Sequence, residues 1–235
     1  MTTAGKRRGL LALCLVGAVM FSGLGIWQVQ RLGWKRDLIA RVDARLAAEP
    51  VELPDRTTWS SFDSRADEYR RVRVRGVFDH ERATLVDALT ERGAGAWIVT
   101  PLRTSIGIVL VNRGFVPLDH EADIAHAAGR PAGEVSLSGL LRASEPGGRP
   151  LRQNDPAHDR WYSRDVRAIA AVRGLASTAP FFIDADATPN PGGFPVGGLT
   201  VVRFRNAHLV YALTWFALAG LCVAGVVLSR RVPPT

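Results

Sequence analysis

The sequence predicts an α+β membrane protein in which two transmembrane helices flank a β-rich extracytoplasmic domain, a small barrel or sandwich with short helices. The first supporting observation is an apolar stretch near each end of the chain. One stretch runs from Gly9 to Trp27 and the other from Leu209 to Leu228, and neither contains a charged residue. At 1.5 Å rise per residue, about 20 residues match the ~30 Å hydrocarbon core of a bilayer.

The second observation is strict alternation in the segment between the two stretches. From Tyr69 to Phe78 the sequence reads YRRVRVRGVF, with Val72 and Val74 on one face and arginines on the other. A half-buried strand needs this period of two. Further short strands, divided by Gly, Pro and Asp turns, are expected over residues 83–89, 96–102, 107–115, 134–141, 181–184 and 199–204.

Two short helices are also predicted. Apolar residues recur at helical spacing from Trp34 to Ala48, and Pro50 ends that pattern, so this segment is interpreted as a short helix leaving the membrane. A second helix is expected from Asp165 to Val172.

Positive charge at the two outer tips sets the predicted orientation. KRR (residues 6–8) precedes the first stretch and RR (residues 230–231) follows the second. Because short cytoplasmic segments are enriched in Lys and Arg, both termini are predicted to be cytoplasmic. No small-residue cleavage site follows the first stretch, which favours an uncleaved anchor over a signal peptide. The predicted segments are a tip (1–8), a first span (9–27), the domain (28–205), a second span (206–228) and a tip (229–235).

Composition excludes several classes of function. Five of the 30 basic residues lie at the tips, which leaves 25 basic against 22 acidic residues in between, and this balance argues against nucleic-acid binding. Both cysteines, Cys14 and Cys222, lie inside the apolar stretches. The domain therefore has neither a disulfide framework nor a thiolate metal site.

The sequence contains no nucleophile elbow, zinc-protease motif or phosphate-binding loop, so no catalytic residues are assigned and the protein is not expected to be an enzyme. His120, Asp123 and His126 could meet on one helix face as metal ligands. An exposed polar segment between strands is the preferred interpretation.

The start of the second span carries the candidate site. His208 stands where the aqueous segment meets the apolar helix, and Tyr211 and Trp215 follow at helical spacing on one face. Arg203 and Arg205 precede it on the water side. Trp27 and Arg31 end the first span across the predicted hairpin.

Two interpretations of this group stay open. In the structural one, Trp and Tyr belt the membrane interface and the arginines extend to lipid phosphates. In the other, the group holds haem: His208 ligates the iron through a neutral imidazole, and the arginines bind the propionates.

Small residues suggest close helix packing in the membrane. Gly220 and Ala224 on the second span, with Ala18 and Ser22 on the first, show small-xxx-small spacing. Whether this packing lies within one hairpin or between copies in a homo-oligomer is left open.

The sequence also resembles the Surfeit locus protein 1 family. The resemblance extends in order from Gly25 to Ala219, and its motifs are specific when taken together. The matching stretches are GIWQVQRLGWKRDLI, YRRVRVRGVFDH, VLVNRGFVP, GLLRASEP, WYSRDV, FFIDA and NAHLVYALTWFALA.

This resemblance implies an assembly factor for cytochrome c oxidase with two spans in the bacterial inner membrane. It implies binding of haem a, with His208 at the position of the proposed ligand, and assistance in inserting haem a into subunit I. Trp27, Arg31, Tyr211 and Trp215 match family positions. Implied partners are subunit I, haem a synthase and the lipid bilayer, with no nucleic acid. The chain's unremarkable start favours a bacterial over a mitochondrial protein.

The alternative function is a cofactor-free membrane scaffold that stabilises subunit I during oxidase assembly through the domain surface. That hypothesis places Arg113, within VNRGF, on the exposed surface of the domain.

Overall fold

The computed structural model describes residues 3–120, 129–200, 202, 204 and 206–231. These residues form two compact units, one made of both ends of the chain (up to Asp43 and from Val202) and one from Ala44 to Val201. In chain order the α-helices and strands are α1 (Thr3–Ala47), β1 (Val51–Glu52), α2 (Ser64–Asp67), β2 (Arg71–Phe78), β3 (Thr84–Thr90), β4 (Gly93–Thr104), β5 (Gly107–Pro117), β6 (Glu134–Ala143), β7 (Gly148–Arg149), β8 (Arg152–Gln153), α3 (Val166–Val172), β9 (Thr178–Ala185) and α4 (His208–Arg231).

The first unit is a helical hairpin of α1 and α4. Both helices are long and apolar enough to cross a membrane. Along α1, the buried residues Gly25, Gln28 and Leu32 lie three and then four positions apart. On α4, Ala212, Ala219 and Val226 are buried seven residues apart. This heptad pattern gives each helix one narrow seam for its partner.

The two helices pack antiparallel along these seams. Phe21 stacks on Trp215 with ring centroids 5.6 Å apart. Closer to the other end of the hairpin, a Cβ on Gly17 would lie 3.0 Å from the Cys222 sulfur. As the residue number falls on α1 it rises on α4, so the contact lies within one hairpin.

The glycines that allow this approach differ from the expected ones. A Cβ on Gly25 would lie 2.6 Å from the Phe216 ring, whereas nothing lies within 4 Å of one on Gly220. Gly220 and Ala224 therefore do not pack within the hairpin, because both are exposed and face away from the seam, and their packing between copies stays a prediction. The short helix predicted over 34–48 is the continuation of α1.

The second unit contains a small closed barrel. Its seven-stranded sheet has the order β1-β2-β6-β9-β5-β4-β3, and β2 also pairs with β4. The extra pairing, at Val77–Arg103 and Phe78–Leu102, closes a five-stranded barrel from β2, β6, β9, β5 and β4. A Cβ on Gly76 would overlap the Arg103 carbonyl, so glycine permits the close approach of β2 to β4. The sequence left barrel and sandwich open, and the structure selects the barrel.

Two apolar clusters lie on opposite faces of the barrel wall. Inside the barrel, Val109 and Val111 of β5 pack with Phe181 and Ile183 of β9. Outside it, Leu110 and Phe182 pack beneath Ile169 of α3. Because β5 is buried on both faces, its sequence from Ile108 to Val111 is a continuous apolar run rather than an alternating one.

The strand expected at 199–204 is wrong for residues 199, 200, 202 and 204, which are irregular. Strand β9 already has β5 and β6 on its two sides, so no sheet edge is free there. Thr200 instead donates its hydroxyl to Asp184 at 2.9 Å. The remaining predicted strands and the helix at 166–172 are confirmed with small shifts of their ends.

Candidate functional site

The candidate site lies where α4 begins beside α1. His208 is the first residue of α4 and is half-buried. Its Nδ1 atom is 2.7 Å from Oε1 of Gln28, whose side chain is only 9% exposed. An amide oxygen can only accept, so Nδ1 carries the proton and the lone pair of the neutral ring is on Nε2.

Gln28 is a residue of the candidate site that sequence reasoning missed. It occupies a seam position between Gly25 and Leu32, where an apolar residue is the rule in such a pattern. A polar side chain at that position, just inside the end of an apolar span, is the signal that could have found it. Its role is to fix the orientation of the His208 ring.

A second polar side chain lies buried next to this pair in the chain. Asn206 precedes α4 by two residues, and its Oδ1 atom is buried with no hydrogen-bond partner among the described residues.

The structure brings together only part of the predicted site. His208 and Trp215 lie seven residues apart on the α4 seam, and Trp215 stacks on Phe21. Tyr211 is 54% exposed and Trp27 is 51% exposed, so both project away from the seam. The expectation that His208, Tyr211 and Trp215 share one line of contacts therefore holds for two of the three.

Of the three arginines predicted for the site, the structure describes only Arg31. The guanidinium of Arg31 lies over the Trp34 ring at 4.7 Å from its centroid. Arg203 and Arg205 are outside the described residues, as are Asp123 and His126 of the candidate metal cluster. His120 is described, and its ring lies 4.7 Å from that of Phe194.

The donor set at α4 fits a haem better than a bare metal ion. Among the described residues no group of three or more His, Cys, Asp or Glu side chains converges to hold an ion. A single imidazole with its second nitrogen hydrogen-bonded is instead the usual axial ligand of haem iron. The apolar helices around it match the apolar face of a macrocycle. The haem roles of these seven residues stay a prediction.

The barrel unit carries a buried ionic network on its outer face. Asp184 is 2% exposed and accepts hydrogen bonds from Arg142 at 2.6 Å and Arg164 at 3.1 Å. Arg164 also donates to Glu145 at 2.6 Å. Burial alone would lower the pKa of Arg142, but Asp184 and Glu68 raise it above its usual value. Each charge has a partner, as a stable buried network requires.

Arg113 is not the surface residue that the sequence suggested. Its side chain points into the barrel and is only 4% exposed, because it shares the inward parity of Val109 and Val111 on β5. A substitution at Arg113 therefore cannot serve as a probe of the exposed domain surface.

Comparison with known proteins identifies the family. The SURF1 family model matches residues 15–220. Surfeit locus protein 1 of Mus musculus is 40% identical over 229 residues, covering 90% of this chain and 71% of that protein. The Homo sapiens protein is 39% identical over 225 residues, covering 88% and 72%. A SURF1-like protein of Monosiga brevicollis is 38% identical over 248 residues, covering 98% and 92%. The chain belongs to the SURF1 family.

Proposed function

We propose that this chain is an assembly factor for haem-a-containing cytochrome c oxidase that binds haem a and assists its insertion into subunit I. Membership of the SURF1 family, a family of cytochrome c oxidase assembly factors, supports the assembly role. The observation that carries the haem role is the partly buried hydrogen bond between His208 and Gln28. It places a proton on Nδ1, so that Nε2 is the nitrogen that can ligate iron.

The residues have separate roles in this proposal. His208 binds the iron, and Gln28 keeps the ring in the required tautomer and orientation. Trp215 provides aromatic surface on the side of the seam, and Tyr211 and Trp27 provide it on the exposed side of the helices. Arg31, Arg203 and Arg205 provide positive charge for the propionates. The haem itself is cargo, and the chain contributes binding and orientation.

The proposed location is the bacterial inner membrane, with α1 and α4 as spans and the barrel unit outside the cytoplasm. Many apolar side chains of both helices are exposed, among them Val16, Val19 and Leu221. Lipid is the surrounding that such surfaces require. Basic residues at the two tips support cytoplasmic termini. Subunit I and haem a synthase are the proposed partners.

The haem role is tested by the visible spectrum of the full chain purified from cells that make haem a. We expect wild type to carry a haem a spectrum and His208→Ala to lose it, because no second imidazole is described near Nε2. His158→Ala is the matched control, since the His158 side chain is 73% exposed. Haem-free wild type, or full haem retention by His208→Ala, would contradict the ligand assignment.

A specific observation favours the alternative, a cofactor-free scaffold for subunit I. Strand β3 is at an edge of the sheet, and it exposes Leu85 and Leu89. Leu118 lies with Leu85 around the same groove. An apolar sheet edge of this kind favours contact with another protein. Under the scaffold hypothesis Leu89→Asp lowers the yield of assembled oxidase while His208→Ala does not.

A further inference from the structure

One end of the barrel interior is an open pocket rather than a filled core. Strands β2, β5 and β9 finish there, and Phe78, Val135 and Leu137 form the apolar wall that continues into the interior cluster. The pocket has a volume of about 160 Å³ and is also lined by Arg113 and by hydroxyl-bearing Ser136 and Thr188. Mouths of β-barrels are among the preferred positions for ligand sites.

Arg113 supplies an unneutralised charge to this barrel mouth. Its Nη2 atom donates to the Gly129 carbonyl and, at 2.9 Å, to Oδ1 of Asn190, and both acceptors are neutral. The guanidinium also stacks over Phe78, 5.0 Å from the ring centroid. Among the described residues, no carboxylate oxygen lies within 4.0 Å of the Arg113 guanidinium, and its Nε atom is buried without a hydrogen-bond partner.

The charge persists at neutral pH despite its surroundings. Burial, and then the nearby Arg130, lower the pKa of Arg113 to about 10, which still leaves the group protonated at pH 7. An unpaired buried cation is strongly unfavourable, and folded proteins normally neutralise one with a counter-ion. The structure thus retains an energetic cost that a bound anion would remove.

The neighbouring charged groups do not pair with Arg113. Arg130 is paired with Glu81 at 3.1 Å, and Asp79 with Arg103 at 2.6 Å. Asp186 also lines the pocket, but its Oδ1 accepts the backbone N–H of Thr188 at 3.0 Å. Among the described residues Arg113 thus has no carboxylate partner, and the negative charge of Asp186 on the pocket wall favours a monoanion over a phosphate dianion.

We propose that the barrel mouth binds a carboxylate group carrying a short aliphatic chain, with Arg113 as its counter-ion. The guanidinium pairs with the carboxylate. Phe78, Val135 and Leu137 contact the aliphatic part, and the volume accommodates only a few heavy atoms. Such a group is presented by a short-chain acid or by the C-terminal residue of a polypeptide. The proposal is independent of the haem role, since all these residues belong to the barrel unit.

The experiment uses the nitrogen-labelled full chain in detergent micelles. The Arg113 Nε–H resonance and the thermal midpoint of the domain are followed during titration with sodium propanoate. Neutral propanamide, of the same size, is the control. A second arm compares the tripeptide Ala-Ala-Val with its C-terminal amide. We expect both carboxylates, and neither amide, to shift the resonance and raise the midpoint, with affinity on the order of 1 mM for so small a ligand. If only propanoate gives the response, the natural ligand is a short-chain acid, and if only the tripeptide does, it is the C-terminal residue of a polypeptide.

Two variants act in opposite directions. Arg113→Gln removes the counter-ion and should weaken propanoate binding about tenfold or more. Asp186→Asn removes the negative charge from the pocket wall and should tighten binding by about threefold. The second variant keeps the test decisive if the first does not fold. Equal responses to propanoate and propanamide, or no response to either carboxylate, would show that Arg113 serves only to hold residues 129 and 190 over the barrel mouth.

Discussion

At the scale of single residues, position in the fold decides what an ordinary polar side chain does. Gln28 and Gln30 are two residues apart on α1, yet Gln28 lies in the seam and Gln30 is exposed. Only the buried one contacts His208. Because Gln28 is buried against α4, this hydrogen bond is more sheltered from water than one made by Gln30 would be.

We expect Gln28→Leu to destabilise the hairpin by about 1 kcal/mol, since the His208 Nδ1–H then lacks an acceptor in apolar surroundings. Titration of the purified chain with dodecyl sulfate, followed by tryptophan fluorescence, measures the change. Gln30→Leu makes the same chemical change on the exposed face and should leave the midpoint in place. Equal midpoints for the two variants would refute a structural role for the hydrogen bond.

At the scale of elements, helix pairing rests on glycines that carry no chemical signal in the sequence. Gly23 and Gly25 lie two residues apart on α1, and only the structure shows that Gly25 is in the seam and Gly23 is exposed. A side chain on Gly25 would meet the Phe216 ring, whereas one on Gly23 meets nothing within 4 Å. Contact between α1 and α4 therefore depends on the absence of a side chain at one position.

We predict that Gly25→Leu weakens α1–α4 packing by about 2 kcal/mol, as overpacking a close helix contact does. The native cysteines Cys14 and Cys222 both lie in the hairpin contact, each beside a glycine of the other helix. A bifunctional maleimide should therefore cross-link them less efficiently in this variant. Gly23→Leu is the control and should cross-link like wild type. Recovery in the Gly25→Leu/Phe216→Ala double variant would confirm the contact, and undiminished cross-linking in Gly25→Leu would contradict it.

Local pattern predicted most elements but not their partners. The period-two run at 71–78 and the Asp165 cap, which accepts the Ala168 N–H at 3.1 Å, were predictable because their signals are local. Closure of the barrel depends on Val77 meeting Arg103, and no local pattern encodes that pairing. Burial of Arg113 was missed for the same reason, since strand parity has meaning only once a barrel exists.

Of the candidate site, the sequence supplied His208 and Trp215 but not Gln28. The two former residues are of types that suit a haem site and a membrane interface. Gln28 is 180 residues from His208 along the chain, and its importance comes only from the antiparallel register of the hairpin. Tyr211 and Trp27 satisfied the same sequence rules, yet both are exposed, because a helix face judged by spacing alone is wider than the seam.

At the scale of the whole molecule, one carboxylate connects three strands of the barrel. Asp184 on β9 accepts from Asn112 on β5 at 2.8 Å and from Arg142 on β6 at 2.6 Å. Arg164 and Thr200 complete its four donors. The network therefore ties the order of the strands to the segments that enter α3 and follow β9.

We expect Asp184→Asn to cost the domain about 3–5 kcal/mol in the free energy of unfolding, because two largely buried guanidinium groups lose their shared counter-charge. Guanidinium denaturation followed by tryptophan fluorescence gives this value. Asp87→Asn is the matched control, since the Asp87–Arg152 pair is exposed and should be worth under about 1 kcal/mol. Similar losses in both variants would mean that the buried network does not hold the barrel together.

The central place of β9 has a consequence for synthesis. Strand β9 is the last barrel strand to be synthesised, and it is inserted between β5 and β6. Until Ala185 has left the ribosome, the edges of β5 and β6 that pair with β9 therefore have no partner strand. Completion of the barrel is thus postponed almost until the second apolar helix is being made. A product truncated anywhere before that point keeps both edges open, and we expect it to aggregate or to be degraded rather than to persist as a shorter folded domain.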